Sequence, residues 1–156
     1  MCFYTMFCFK NNSRFSNMTY QNAKVFIPPI TECIVLKVYD GDTITIGTQL
    51  YNDKENYKFQ VRLRGIDCPE IKTKNNIEHQ MAEKAREFVR NKTDHKIINL
   101  KNINYDKYGR LLANVIVDNV DLSDELIKER LAVAYDGGTK IVPKNWEEYN
   151  KNGKMD

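Results

Sequence analysis

Residues 57–70 read Tyr57-Lys58-Phe59-Gln60-Val61-Arg62-Leu63-Arg64-Gly65-Ile66-Asp67-Cys68-Pro69-Glu70. Over the first eight, apolar and polar side chains alternate, the period of a half-buried strand. The polar row ends in Arg62 and Arg64, so two guanidiniums lie on the face opposite the apolar row. Gly65 stops the strand, and Asp67 and Glu70 follow on a turn stiffened by Pro69.

Working outward from this strand, Cys33 to Tyr39 reads as a strand, Asp40-Gly41 as a turn, and Thr43 to Ile46 as a second alternating run. A polar loop, Asn52 to Asn56, leads into the strand at Tyr57. On the C-terminal side, Met81, Ala82, Ala85, Phe88 and Val89 recur at helical spacing and predict an amphipathic helix over 80–91. His95 to Ile103 and Leu111 to Val117 are β-like and joined by a turn at 104–109. A second helix is expected over 122–131, capped by Asp121 or Ser123, with Leu122, Leu126 and Ile127 inward. The order β-β-β-α-β-β-α implies an α+β, mainly β domain: a five-stranded OB-type barrel carrying two to three helices. The domain is expected over 31–140. A poorly ordered extension over 1–30 precedes it, and a tail over 141–156, with a short helix around Trp146 to Tyr149, follows.

The 156 residues suit one domain, and 42% apolar with 29% charged residues excludes a disordered or collagenous chain. No apolar run approaches membrane-spanning length, so no membrane partner is expected. A net charge of +3 permits an anionic partner without demanding one. Cys2, Cys8, Cys33 and Cys68 form no C-x-x-C pair, and His79 and His95 lie far from them. A structural zinc site and a disulfide framework are both disfavoured, which fits an intracellular, cytoplasmic setting. The stretch from Met1 to Phe9 is apolar but lacks a preceding positive flank and a small-residue cleavage site, so it reads as an extension rather than a secretion signal.

Three segments concentrate polar residues: Asp40-Gly41-Asp42-Thr43, Arg62 to Glu70, and Asp106-Lys107-Tyr108-Gly109-Arg110. Taken singly, the first and third read as hairpin turns, and the second admits structural ion pairing. Together they carry more. Asp42, Asp67 and Glu70 offer hard oxygens and a proton acceptor, suited to calcium or magnesium. Arg62 and Arg110 offer planar forks suited to phosphate. Such acids beside such cations are the parts of phosphodiester hydrolysis.

With Val38-Tyr39 before the first segment and Leu111-Leu112-Ala113 after the third, the chain resembles the staphylococcal nuclease family over 33–136. The resemblance implies an OB-type barrel and calcium-dependent cleavage of DNA and RNA to 3′-phosphate ends, on single strands or frayed duplex, by a monomer. It implies that Asp42 and Asp67 bind the metal with the backbone carbonyl of Cys68. Arg62 and Arg110 would be the catalytic arginines, and Glu70 the base or water-orienting group. Lys107 and Tyr108 would lie near a terminal phosphate, and Tyr135 in the nucleotide pocket. The chain departs from the pattern in a longer loop over 50–56 and in Asp136-Gly137-Gly138, where a second aromatic is missing.

Two other classes fit the sequence less well. A non-catalytic nucleic-acid or protein-binding module on the same barrel is disfavoured because all five of Asp42, Arg62, Asp67, Glu70 and Arg110 are present. A Cys68 nucleophile with His79 as base lacks an evident oxyanion device. His79 and His95 are expected at the surface.

Overall fold

Three alternating segments form an antiparallel meander: β1 (Glu32–Asp40), β2 (Thr43–Gln49) and β3 (Asn56–Leu63). This is a computed structural model that describes residues 13–51 and 54–156. The expectations for residues 1–12, with Cys2 and Cys8, and for loop positions 52 and 53 lie outside the described residues. After a two-residue strand, β4 (Ile66–Asp67), comes helix α1 (Asn76–Thr93). Strand β5 (Ile97–Tyr105) returns antiparallel to β1, and β6 (Leu111–Val117) runs antiparallel to β5. A parallel β3–β6 pairing closes five strands into a barrel in the order β3-β2-β1-β5-β6. Then follow β7 (Val120–Asp121), α2 (Leu122–Lys128), β8 (Val133–Ala134) paired with β4, and α3 (Trp146–Asn152). A mainly β barrel with three helices is the OB-type architecture expected.

The inward rows fill the barrel. Ile44 and Ile46, Val61 and Leu63, and Leu111, Ala113 and Val115 are all at 1% exposure or less. Each large aliphatic side chain so buried contributes about 1.5–3 kcal/mol. Helix α1 lays Met81, Ala82, Ala85 and Val89 against this core, contacting β1. Trp146 of α3 is buried, and the Tyr149 hydroxyl donates to the Ala132 carbonyl (3.2 Å). Among the described residues, no helix is long and apolar enough to cross a membrane.

Element ends differ from the expectation for local reasons. Helix α1 begins at Asn76, ahead of the apolar repeat, because the Asn75 side chain accepts from the N–H groups of Ile77 (3.0 Å) and Glu78 (3.3 Å). Helix α2 ends at Lys128. Arg130 adopts φ 53°, its N–H donates to the Ile127 carbonyl (2.9 Å), and the Leu131 N–H donates to that of Leu126 (2.9 Å). This is a Schellman stop made without the glycine that usually marks one. His95 has φ 53°, so β5 starts at Ile97. Of the two proposed α2 caps, Asp121 does the capping, accepting from the Ser123 N–H (2.9 Å).

Candidate active site

The inward row of β1 runs from Val38 to Asp40, and a two-residue turn then presents Asp42. Gly41 makes this turn possible, because a Cβ there would lie 2.8 Å from Ala85 Cβ and 2.9 Å from Cys68 Sγ. Strand register sets Thr43 opposite Arg62, and the Leu63 N–H donates to the Asp42 carbonyl (2.8 Å). Arg62 Nη2 thereby stands 3.1 Å from Asp42 Oδ2 and 3.1 Å from Asp67 Oδ1. The two Asp42 oxygens also accept from the Thr43 hydroxyl (2.9 Å) and the Cys68 N–H (3.0 Å). Asp67 is held in β4, opposite Val133 of β8.

The parallel closure sets Arg62 opposite Leu112, so Arg110, just ahead of β6, faces the same space. Its Nη1 reaches the Thr43 hydroxyl (3.5 Å), while Asp106 accepts from its Nε (2.7 Å) and its backbone N–H (3.0 Å). Burial works against the Asp106 carboxylate. The bonds from Arg110 and the Tyr108 N–H outweigh it and hold the group below the usual carboxylate range.

Asp42, Arg62, Asp67, Glu70 and Arg110 line one cleft of about 560 Å³, together with Lys107, Tyr108 and Tyr135. Glu70 sits at the lip, its side chain 56% exposed. Tyr108 is 72% exposed, with Lys107 Nζ 5.2 Å and Arg110 Cζ 5.5 Å from its ring centre. Tyr135 is anchored by its N–H to the Gly65 carbonyl (2.8 Å) and by its hydroxyl to that of Gly138 (3.2 Å).

Cys68 is placed differently: its side chain is buried behind the cleft against Gly41. Burial and the Asp42 charge push its thiol well above the ordinary value, so it stays protonated. His79 is exposed, with Nδ1 on the Ile71 carbonyl (2.9 Å). A cysteine–histidine pair has no support in this geometry.

Two further residues line this cleft. Asp40 is buried in the cleft wall, with Oδ1 lacking any hydrogen-bond partner. Burial, then the charges of Asp42 and Glu70, push its pKa up to about 6. The alternation Val38, Asp40 was the available signal. Lys140 is the other, its Nζ 2.8 Å from Asp67 Oδ1 and 3.5 Å from Glu70 Oε1. It follows two glycines in an irregular segment, where no periodicity foretells direction.

This donor set suits a hard divalent ion. Asp42 and Asp67 supply carboxylates, and the orphaned Asp40 oxygen lies in the same wall. Among the described residues, no three His, Cys, Asp or Glu side chains form a metal cage by themselves. A bound ion would therefore complete its shell with backbone oxygen and water, as calcium and magnesium do.

The family model described as "Staphylococcal nuclease homologue" matches residues 60–154. The chain is 34% identical over 112 residues to "Endonuclease YncB" of Bacillus subtilis, covering 68% of this chain and 50% of that protein. It is 34% identical over 114 residues to a "Thermonuclease" of Staphylococcus intermedius, covering 72% and 61% respectively. It is also 34% identical over 97 residues to a "Probable endonuclease" of Schizosaccharomyces pombe, covering 58% and 42%. The chain thus spans about half the length of the curated relatives it matches. The matched region runs from the end of β3 through α3 and holds four of the five clustered side chains, which leaves Asp42 to the β1–β2 turn. On sequence and barrel topology alike, the chain belongs to the family of staphylococcal nuclease homologues.

Proposed function

We propose that the chain is a calcium-dependent nuclease that hydrolyses single-stranded or frayed DNA and RNA to 3′-phosphate ends. The observation that carries this reading is the meeting of three acids and two guanidiniums in one cleft. The names of the relatives, endonuclease and thermonuclease, agree with it.

In this reading Asp42, Asp67 and the Cys68 backbone carbonyl would hold the ion. Calcium bound there would supply charge neutralisation and Lewis-acid polarisation. Glu70 accepts a proton from the attacking water, whose oxygen bonds to phosphorus as the bond to the 5′ oxygen breaks. The departing oxygen takes up a proton from solvent water, leaving a 5′-hydroxyl and a 3′-phosphate. Arg62 and Arg110 face the non-bridging oxygens as their charge grows, a contribution of about 3–4 kcal/mol each. Asp106 keeps Arg110 oriented, so little reorganisation accompanies the reaction. Lys107 and Tyr108 hold a terminal phosphate, and Tyr135 lies against the nucleotide. Contacts to phosphate carry no base information, so cleavage is expected to be largely sequence-blind. A cleft of about 560 Å³ admits a splayed nucleotide better than a stacked pair. The protein acts as a monomer in a reducing compartment, in keeping with its buried free thiols, Cys33 and Cys68.

The test is incubation with labelled single-stranded DNA and RNA, in calcium and in chelator, with end-group analysis. Loss of the strand in calcium only, with 3′-phosphate products, is expected. Strands that bind but stay intact in calcium would instead identify a non-catalytic module.

A further inference from the structure

Tyr39 is the extra residue of a β-bulge. Val38 pairs with Ile44 and Asp40 pairs with Thr43, leaving Tyr39 without a counterpart on β2. Bulges re-aim side chains beside functional sites. This one turns Asp40 into the cleft wall and leaves Tyr39 40% exposed just outside it. Two cations attend the ring: Lys37 Nζ lies 5.9 Å and Lys72 Nζ 5.7 Å from its centre. Lys72 stands two residues beyond Glu70, and Tyr39 immediately precedes Asp40 of the cleft wall. The patch is therefore fastened to the lip of the cleft at two points. Tyr108, which lines the cleft and is also flanked by cations, comes from the β5–β6 turn, a separate segment.

We propose that Tyr39, with Lys37 and Lys72, forms a second nucleotide subsite that takes a base and its phosphates where a single strand leaves the cleft past Glu70. The proposal rests on the nuclease reading and extends it. Exposed cation–π contacts are weak, and base stacking on an aromatic ring is stronger. An arriving base displaces an ammonium from the ring face, and the freed lysine meets the adjoining phosphate. Stacking accepts any base, in keeping with a sequence-blind cleft.

The test measures binding of dye-labelled oligothymidylates of about two and about ten nucleotides, the longer matching a typical single-strand site. It is done in calcium, in a Glu70→Gln background, with strand integrity checked on a gel. Tyr39→Ala is expected to weaken the longer strand roughly tenfold and to leave the shorter one unchanged. Tyr39→Phe keeps the ring and should bind both as the parent does. The Lys37→Met/Lys72→Met pair should flatten the salt dependence for the longer strand by about one phosphate or more. Equal binding of the longer strand by parent and Tyr39→Ala overturns the subsite, as does equal loss on both lengths. A parent that binds neither strand overturns the nuclease reading and the subsite with it.

Discussion

Lys140 stands at the proposed metal site. Asp67 is 3% exposed yet meets two cations, Arg62 and Lys140, within 3.1 Å. Partial burial works against the Lys140 ammonium, but Asp67 and Glu70 outweigh it and keep its pKa above the ordinary lysine value. Arg62 is locked between Asp42 and Asp67, whereas the Lys140 side chain is 48% exposed and follows Gly137, at φ 97°. Lys140 is thus the counter-cation that can leave. Lys140→Met is expected to tighten calcium binding roughly fivefold, about 1 kcal/mol for a half-exposed pair, measured by titration calorimetry. Unchanged affinity would mean that the lysine leaves at no cost. Asp40 makes a second prediction at this scale. Its pKa rises on folding from 3.8 to about 6, so its contribution to stability is full below the lower value and lost as pH climbs through the upper. In chelator, Asp40→Asn is expected to melt above the parent by on the order of 4 °C at pH 8, with the gap closing near pH 4. A gap that is the same at both pH values would show that this carboxyl does not titrate as its surroundings require.

At the scale of elements, the β1–β2 turn is squeezed against α1. Any Cβ at position 41 meets Ala85 and Cys68, both fully packed. Gly41→Ala is therefore expected to cost about 1–3 kcal/mol in urea unfolding and to weaken calcium binding by shifting Asp42. A loss below about 0.5 kcal/mol would show that the helix yields. The same region shows what a sequence can and cannot reveal. Strands β2 and β3 were legible from alternation and β6 is buried on one face, which writes a period of two, whereas β1 and β5 were legible as runs of β-forming residues, their burial period broken by register shifts. Helix α1 was legible in its middle, where Met81 to Val89 pack, but not in its polar first turn, where only the Asn75 cap decides. β4 and β8 have two residues each, too few for any period. The stop of α2 rests on Arg130 in a conformation that glycine normally announces.

For the whole molecule, barrel closure makes the site. Arg62 and Arg110 are far apart in the chain, and the β3–β6 pairing sets Arg62 of β3 opposite Leu112, two residues past Arg110. Motif order pointed to the five residues, but no local rule could place Lys140 on Asp67 or leave an Asp40 oxygen unpartnered, because both depend on where loops land after closure. With a net charge of only +3, the fold's overall field is modest, and any hold on a polyanion has to be built locally by the cleft cations. The central claim is that Arg62 and Arg110 act together on one phosphate. It is tested most directly by the single-turnover rate of single-stranded DNA cleavage in calcium by Arg62→Lys and by Arg110→Lys. Each is expected to lose about 10²–10³ in rate with its melting temperature nearly unchanged, since one ammonium cannot reproduce a fork. Rates close to the parent's in both variants would contradict the account.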